Sequence, residues 1–292
     1  MRRTTVLASA ILALAASTSA LAQGKSQDHK KNPPAPPSRS DLASPASVSI
    51  ATTAVAGPTP LAWVDDASLL EAGSVSIAMS VVRWQGSGLS EVDVPVIDAS
   101  IGLAPRVHLT ATVPRVVGSV DPFGPAGGVG TSYFSAKIAA LNDAKRSLKL
   151  SVAPTLEVLG HGVLQSMAEG ERRVHFGMPV SVELDRGRAR LYAGGGYFTR
   201  GVWFTGAGAG TRLNDKVFVS GGFSRSWRVS DVPDIPLSDR DRKEVTGSGS
   251  YAVTPQISVY GAVAQTVATL EDNGAGTSLI GGVSFFFAPP RK

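Results

Sequence analysis

The chain has 292 residues, no cysteine and a formal net charge of +5. The missing cysteine excludes a disulfide framework, a thiolate metal site and the thiol on which a lipoprotein anchor is built. Arg2 and Arg3 supply two of the surplus charges and no Lys/Arg cluster follows them, so a nucleic-acid partner is set aside as well.

In chain order, Arg2 and Arg3 precede an apolar run from Val6 to Ala16 and then the small-residue Ala20-Leu21-Ala22. This pattern predicts a secretory signal peptide over residues 1–22, because the apolar core is far shorter than the roughly 20 residues a spanning helix needs. Residues 23–60 are rich in Pro, Ser, Ala and Lys, including Asn32-Pro33-Pro34-Ala35-Pro36-Pro37, and show no hydrophobic period. They read as a disordered periplasmic linker. Trp63 to Gly73 follows as a short apolar and acidic lead-in, with Leu69 and Leu70 expected at the mouth of the fold.

No later stretch is apolar for long enough to span a membrane as a helix, yet 43% of the chain is apolar. A closed β-barrel is the other way to satisfy every backbone polar group in lipid. Beyond Gly73 the hydrophobic period becomes two, and residues 61–292 are expected to form an all-β, antiparallel transmembrane barrel of about 12 strands, each near the 9 to 11 residues a tilted strand needs. The strands are expected near 74–84, 91–103, 106–117, 128–140, 147–159, 172–184, 188–198, 201–212, 216–228, 243–253, 256–268 and 276–287. Alternation is plainest around Leu148, Leu150, Val152, Leu156 and Val158, which interleave with Lys149, Ser151, Thr155 and Glu157.

Short turn signals at Ala104-Pro105, Asn142-Asp143, Asp185-Arg186-Gly187, Asn214-Asp215 and Thr254-Pro255 occupy every second connection. The connections over Gly118–Gly127, Gly160–Glu171 and Ser230–Arg242 are longer. This parity suits tight periplasmic turns and longer outer loops, with both termini periplasmic. Trp84, Tyr133, Phe134, Phe176, Tyr197, Phe198, Trp203, Phe204 and Trp227 fall at the outer strand ends and are expected to form the aromatic girdle.

A Lys or Arg facing lipid near the midplane costs about 2 to 4 kcal/mol, so register should turn charges inward. On that reading Lys137, Lys149, Arg173, Arg188 and Arg190 line the lumen with His175, Glu157, Glu183, Glu244 and Asp98. The cations Lys137, Lys149, Arg188 and Arg190 then outnumber Glu183 in the periplasmic half, which implies a weak anion preference. A catalytic pair could be imagined from Ser151 and His108, but nothing in the sequence brings them together, and His161 and His29 read as solvated residues. No enzyme activity, cofactor or metal is expected.

The stretch Ile101 to Leu159 resembles an outer-membrane β-barrel transporter family associated with meta-pathway phenol degradation. The resemblance rests on Gly102-Leu103-Ala104-Pro105-Arg106-Val107 leading to Val113-Pro114, and on Gly127-Gly128-Val129-Gly130-Thr131 leading to Ala136-Lys137-Ile138. Thr131 stands where that family often has aspartate. The resemblance implies fold and location more than cargo. The last strand, with Val283, Phe285 and Phe287, also looks like the signal read by the barrel assembly machinery, here followed by the tail Ala288 to Lys292.

The function expected is a monomeric pore in outer-membrane lipid that passes small solutes by diffusion through a polar, weakly basic lumen. The alternatives are a sealed structural or interaction barrel acting through its loops or periplasmic arm, and a lipid-modifying barrel enzyme.

Overall fold

The computed structural model describes residues 64–86, 89–120, 127–160, 173–199, 201–228, 241–269 and 275–288. The expected signal peptide and Pro-rich linker, His29, His161 and most of the longer connections lie outside the described residues.

Fifteen strand segments build twelve staves. β1 (Val75–Gly86), β2 (Leu89–Ala104) and β3 (Val107–Val120) are single staves. β4 (Gly128–Val129) and β5 (Ser132–Asp143) share the fourth, β6 (Leu148–Val152) and β7 (Thr155–Val158) the fifth, and β8 (Val174–Gly177) and β9 (Val180–Arg186) the sixth. β10 (Ala189–Phe198), β11 (Val202–Arg212), β12 (Val217–Arg228), β13 (Asp241–Ala252), β14 (Ile257–Thr269) and β15 (Thr277–Phe287) complete the set. Every pairing is antiparallel between sequence neighbours, and β15 returns to β1 in continuous register from Val75↔Phe287 to Gln85↔Thr277. The sheet is therefore a closed twelve-stave barrel, which leaves no unpaired edge. The twelve expected strands correspond to these staves one for one, and no described residue is helical.

The breaks in the fifth and sixth staves share a cause. Pro154 and Pro179 carry no N–H and cannot donate to a ladder. They sit in neighbouring gaps, where Ala153 N–H donates to the Pro179 carbonyl (2.8 Å) and Ala136 N–H to the Pro154 carbonyl (3.0 Å). The strands lose their regular ladder at these points while the wall stays bonded. Around Pro95 and Pro114 the register likewise steps from Asp93↔Val116 to Val96↔Pro114.

All five expected short turns gather at the end where β1 begins and β15 finishes, called here the proximal end. Side chains close three of them: Asp143 accepts from the Lys145 and Arg146 N–H groups, Asn214 from Lys216 and Val217, and Thr254 from Gln256 and Ile257. Gly187 takes φ 68° in a fourth, a left-handed conformation that glycine adopts without steric cost.

Alternation divides the wall into two faces. In β1, Ile77, Met79 and Val81 are exposed on the outside while Ala78, Ser80, Val82 and Trp84 are buried inside. The same outward exposure recurs at Leu191, Val259, Val263 and Leu279. A continuous apolar exterior of this kind is an aggregation liability in water and a solvated surface in hydrocarbon.

The expected girdle is corrected here. Phe134, Phe176 and Trp203 are exposed on the outside, and Tyr197 and Trp227 share that face, with the Tyr197 and Trp203 rings 4.9 Å apart. Trp84, Tyr133, Phe198 and Phe204 instead point inward and are almost fully buried. The reason is the two-residue period. Tyr133-Phe134, Tyr197-Phe198 and Trp203-Phe204 are adjacent pairs, so one ring of each must face in when the other faces out.

Candidate functional site

The lumen holds a segment of its own chain. Residues 64–73, of which Leu69 and Leu70 were expected at the mouth, run inside the barrel before Gly73 and Ser74 hand over to β1. Glycine makes the entry possible at Gly102, because a Cβ there would meet the Glu71 and Leu70 backbone. Gly73 N–H donates to the Gly102 carbonyl (2.7 Å) and Gly102 N–H to the Ser74 carbonyl (2.9 Å), which tie the segment to β2. Further in, Val64 occupies the space that a side chain on Gly206 of β11 would need.

Polar contacts fix this plug against one side of the wall. Lys137 of β5 donates to the Asp65 carboxylate and to the Asp66 carbonyl (2.9 Å), and its Nζ lies 4.0 Å from the Asp66 carboxylate. Arg190 of β10 donates to Asp66 Oδ2 at 2.6 Å and stands 3.4 Å from Glu183 of β9. Lys149 of β6 donates to Glu183 (3.0 Å) and to Ser68 Oγ (2.8 Å), while Ser68 donates to Glu183 Oε2 (2.7 Å). Leu70 N–H donates to His108 Nδ1 of β3 at 3.1 Å. Burial is the largest influence on the Asp65 carboxyl and holds its pKa above the ordinary aspartate value, with Lys137 pulling the other way. Desolvation thus opposes the attraction, so this pair directs where the segment sits more than it glues it there.

Lys137, Lys149, Arg190 and Glu183 are brought together at this plug. Arg188 is not among them. It lies in the exposed turn between β9 and β10, where its carbonyl accepts from the Arg212 N–H (2.8 Å). Arg173 stands exposed just before β8 at the distal end. The sequence reading missed Asp65 and Asp66 as lumenal residues. The signal available for them was two adjacent carboxylates in an otherwise apolar lead-in, directly before a barrel whose inward cations outnumber their carboxylates on that side.

A second polar tier lies toward the distal end. Tyr133 donates to Glu157 Oε1 at 2.8 Å, and Glu157 is the register partner of His175. The Phe198 ring meets Tyr133 edge-on with centroids 6.4 Å apart, and Phe204 packs behind it. Across the lumen Arg242 donates to Glu244 at 2.6 Å. Beside it Ala78, Val82, Trp84, Val96, Tyr260 and Ile280 form an inward apolar cluster. Asp98 faces inward and accepts from Thr112 Oγ1 (2.5 Å).

The wall opposite the plug is different. There Ser220 and Ser248 are hydrogen-bonded at 2.5 Å and Ser258 and Ser284 at 2.7 Å, and Gly222, Thr246 and Ser250 fill in between them on the same face. Hydroxyls and small residues share this side with the inward Tyr260, Ile280, Arg242 and Glu244 and with Phe218, whose ring covers Gly210. Ser151 and His108, the imagined catalytic pair, are not hydrogen-bonded to each other: His108 Nδ1 accepts from Leu70, and neither His108 Nε2 nor Ser151 Oγ has a hydrogen-bond partner among the described residues. Among the described residues no cluster of three carboxylate or imidazole groups is arranged for a metal.

Comparison with known proteins finds relatives in architecture alone. No family model matches the chain, and no curated protein does. Among solved structures, the COG4313 outer membrane channel from Pseudomonas putida F1 aligns with TM-score 0.56 at 13% identity, covering 76% of this chain and 98% of that one. The NanC porin aligns with TM-score 0.54 at 12% identity over 72% and 98%. The KdgM porin, in a complex with disordered oligogalacturonate, aligns with TM-score 0.51 at 9% identity over 73% and 99%. These three are outer-membrane porins and channels rather than enzymes, and at such identities the likeness establishes the fold.

Proposed function

We propose that this chain is an outer-membrane pore that passes small solutes by diffusion along the hydroxyl-lined side of a partly plugged lumen. The observation that carries the reading is the asymmetry of the interior. The plug binds β3, β5, β6, β9 and β10, whereas the hydroxyls of Ser220, Ser248, Ser258 and Ser284 line part of the wall from β12 to β15. Barrels of about eight strands fill their interior with side chains, and twelve staves enclose more width than that.

The proximal end is assigned to the periplasm, because tight turns belong there in bacterial barrels. The protein acts as a monomer and is assembled through its final strand, whose outward Val283, Phe285 and Phe287 supply the recognition face. Membership of the transporter family associated with phenol degradation is part of the same proposal and rests on Gly102 to Val107 and Gly127 to Thr131. With the plug in place the Lys137, Lys149 and Arg190 cluster is neutralised by Asp65, Asp66 and Glu183, so the anion preference expected from the wall belongs to a state in which the plug has lifted.

The test is swelling of proteoliposomes in isotonic solutions of small neutral sugars. Swelling that slows as the sugar grows supports a pore. No swelling with correctly inserted protein selects the sealed barrel, a reading favoured by the apolar cluster around Trp84.

A further inference from the structure

We propose that the plug's Asp65-Asp66 pair is an internal stand-in for the transported solute, and that the wall cluster of Lys137, Lys149 and Arg190 is a binding site for small molecules bearing two neighbouring carboxylates. The proposal rests on the pore reading and names its solute class.

Charge stoichiometry carries it. Three wall cations face one wall carboxylate, Glu183, which leaves a surplus of two positive charges on this side of the lumen. The plug supplies two negative charges at that place: Asp65 on Lys137, and Asp66 on Arg190. Lys137 and Asp66 are buried, as is Glu183 between Lys149 and Arg190. Withdrawing the plug without replacement would leave two cations confined in a narrow, low-dielectric space, which is costly. A dianion that takes the places of the two carboxylates removes that cost. Plug release and dianion binding are therefore linked, since a ligand shifts an equilibrium only by its differential affinity for the two states.

The geometry suits exchange. Asp65 and Asp66 are adjacent residues, so the site accepts two carboxylates a few bonds apart, and the cations reach them from separate staves. Lys149 needs no plug carboxylate, because Glu183 and Ser68 satisfy it. Desolvation of Asp65 weakens the plug's own hold, which leaves room for a competitor. Apart from Leu70 N–H on His108 and Val64 against Gly206, the other plug contacts, at Gly73, Ser74 and Gly102, are backbone bonds at the base, where the segment can hinge without leaving the barrel.

The chain has no cysteine, so a single reporter can be placed cleanly. Ala67 is buried at 2% exposure within the plug. In full-length Ala67→Cys protein in vesicles, the rate of modification by a small neutral thiol reagent reports plug release, normalised to Ala288→Cys at the exposed C-terminal end. Succinate should raise the Ala67→Cys rate by roughly fivefold or more, the low end of ordinary linkage. The uncharged diamide succinamide, and chloride at equal ionic strength, should leave it unchanged. A rate that ignores succinate, or that succinamide raises equally, overturns the proposal. Conductance of the same protein is recorded alongside. A conducting pore whose plug ignores succinate sinks the solute class alone, whereas absent conductance sinks the pore reading whatever the labelling shows.

Discussion

Lys137 and Asp65 meet inside the barrel across 72 residues of sequence, one from the middle of β5 and the other from the segment that precedes β1. The pair is asymmetric. Lys137 also holds the Asp66 carbonyl and lies near the Asp66 carboxylate, whereas Lys137 is the one cation paired with Asp65 among the described residues. Lys137→Met therefore strips the cation from the partly exposed Asp65 and from beside the buried Asp66, and should disfavour plug docking by about 1 to 3 kcal/mol, while Asp65→Asn should cost much less. Thiol accessibility at Ala67→Cys compares the two. Equal accessibility in both variants would mean that Lys137 does not set the plug's position.

Gly102 offers a way to lift the plug without touching charge. The atoms nearest to a Cβ at this position belong to the backbone of Leu70 and Glu71, which are plug residues. Gly102→Ala should push the base of the plug away and raise conductance, with the barrel still closed. A Cβ on Gly281 meets nothing, so Gly281→Ala is the matched control. Unboiled and boiled samples of both should migrate differently in detergent gels, as closed barrels do. If Gly102→Ala abolishes that difference, the glycine serves the wall and not the plug.

The two faces of the wall make opposite demands on charge. Val263 is exposed on the outside near the middle of β14, and Val253 lies in a proximal turn. Val263→Arg should lower the unfolding free energy in lipid vesicles by about 2 to 4 kcal/mol, and Val253→Arg by about 0 to 1 kcal/mol. Denaturant titration of vesicle-embedded protein reads both. Equal costs would place the bilayer elsewhere on the barrel.

Phe287 ends β15, is exposed on the outer face and pairs with Val75. It packs into no interior cluster, so Phe287→Ala should leave the unfolding midpoint of refolded protein nearly unchanged while reducing the amount assembled in cells. Removing Ala288 to Lys292 should do neither, since Pro289 and Pro290 cannot extend the ladder. A damaging tail deletion beside a silent Phe287→Ala would move the assembly signal into the tail.

The features legible in the sequence are those set by neighbours in the chain. Strand positions followed from the two-residue period, and the proximal turns from local chemistry at Asp143, Asn214, Thr254 and Gly187, each of which bonds or bends its own backbone. The gaps at Pro154 and Pro179 were passed over, because each proline breaks a ladder whose other half lies some two dozen residues away. The aromatic girdle was misread because height along the barrel was counted and facing was not, although the adjacency of Tyr133 and Phe134 already required one of them to point inward. The plug was illegible for a related reason. Its position depends on staves from β2 to β11 that do not exist until the barrel closes, and the local sequence shows only a short, mildly acidic lead-in. Arg188 fell outside the cluster because β10 begins at Ala189, which leaves Arg188 in the turn.

The most direct measurement of the central claim is single-channel current across a planar bilayer, for the native chain and for Asp65→Lys/Asp66→Lys, in which the plug carries the same charge as its cradle. In dilute salt, where the screening length is about 30 Å, the native protein should give small, steady steps with little ion preference. The variant should give steps several-fold larger, with a reversal potential displaced toward anions by the uncovered Lys137, Lys149 and Arg190. Native and variant channels of equal conductance and equal reversal potential would contradict the account, as would inserted protein that passes no current in either form.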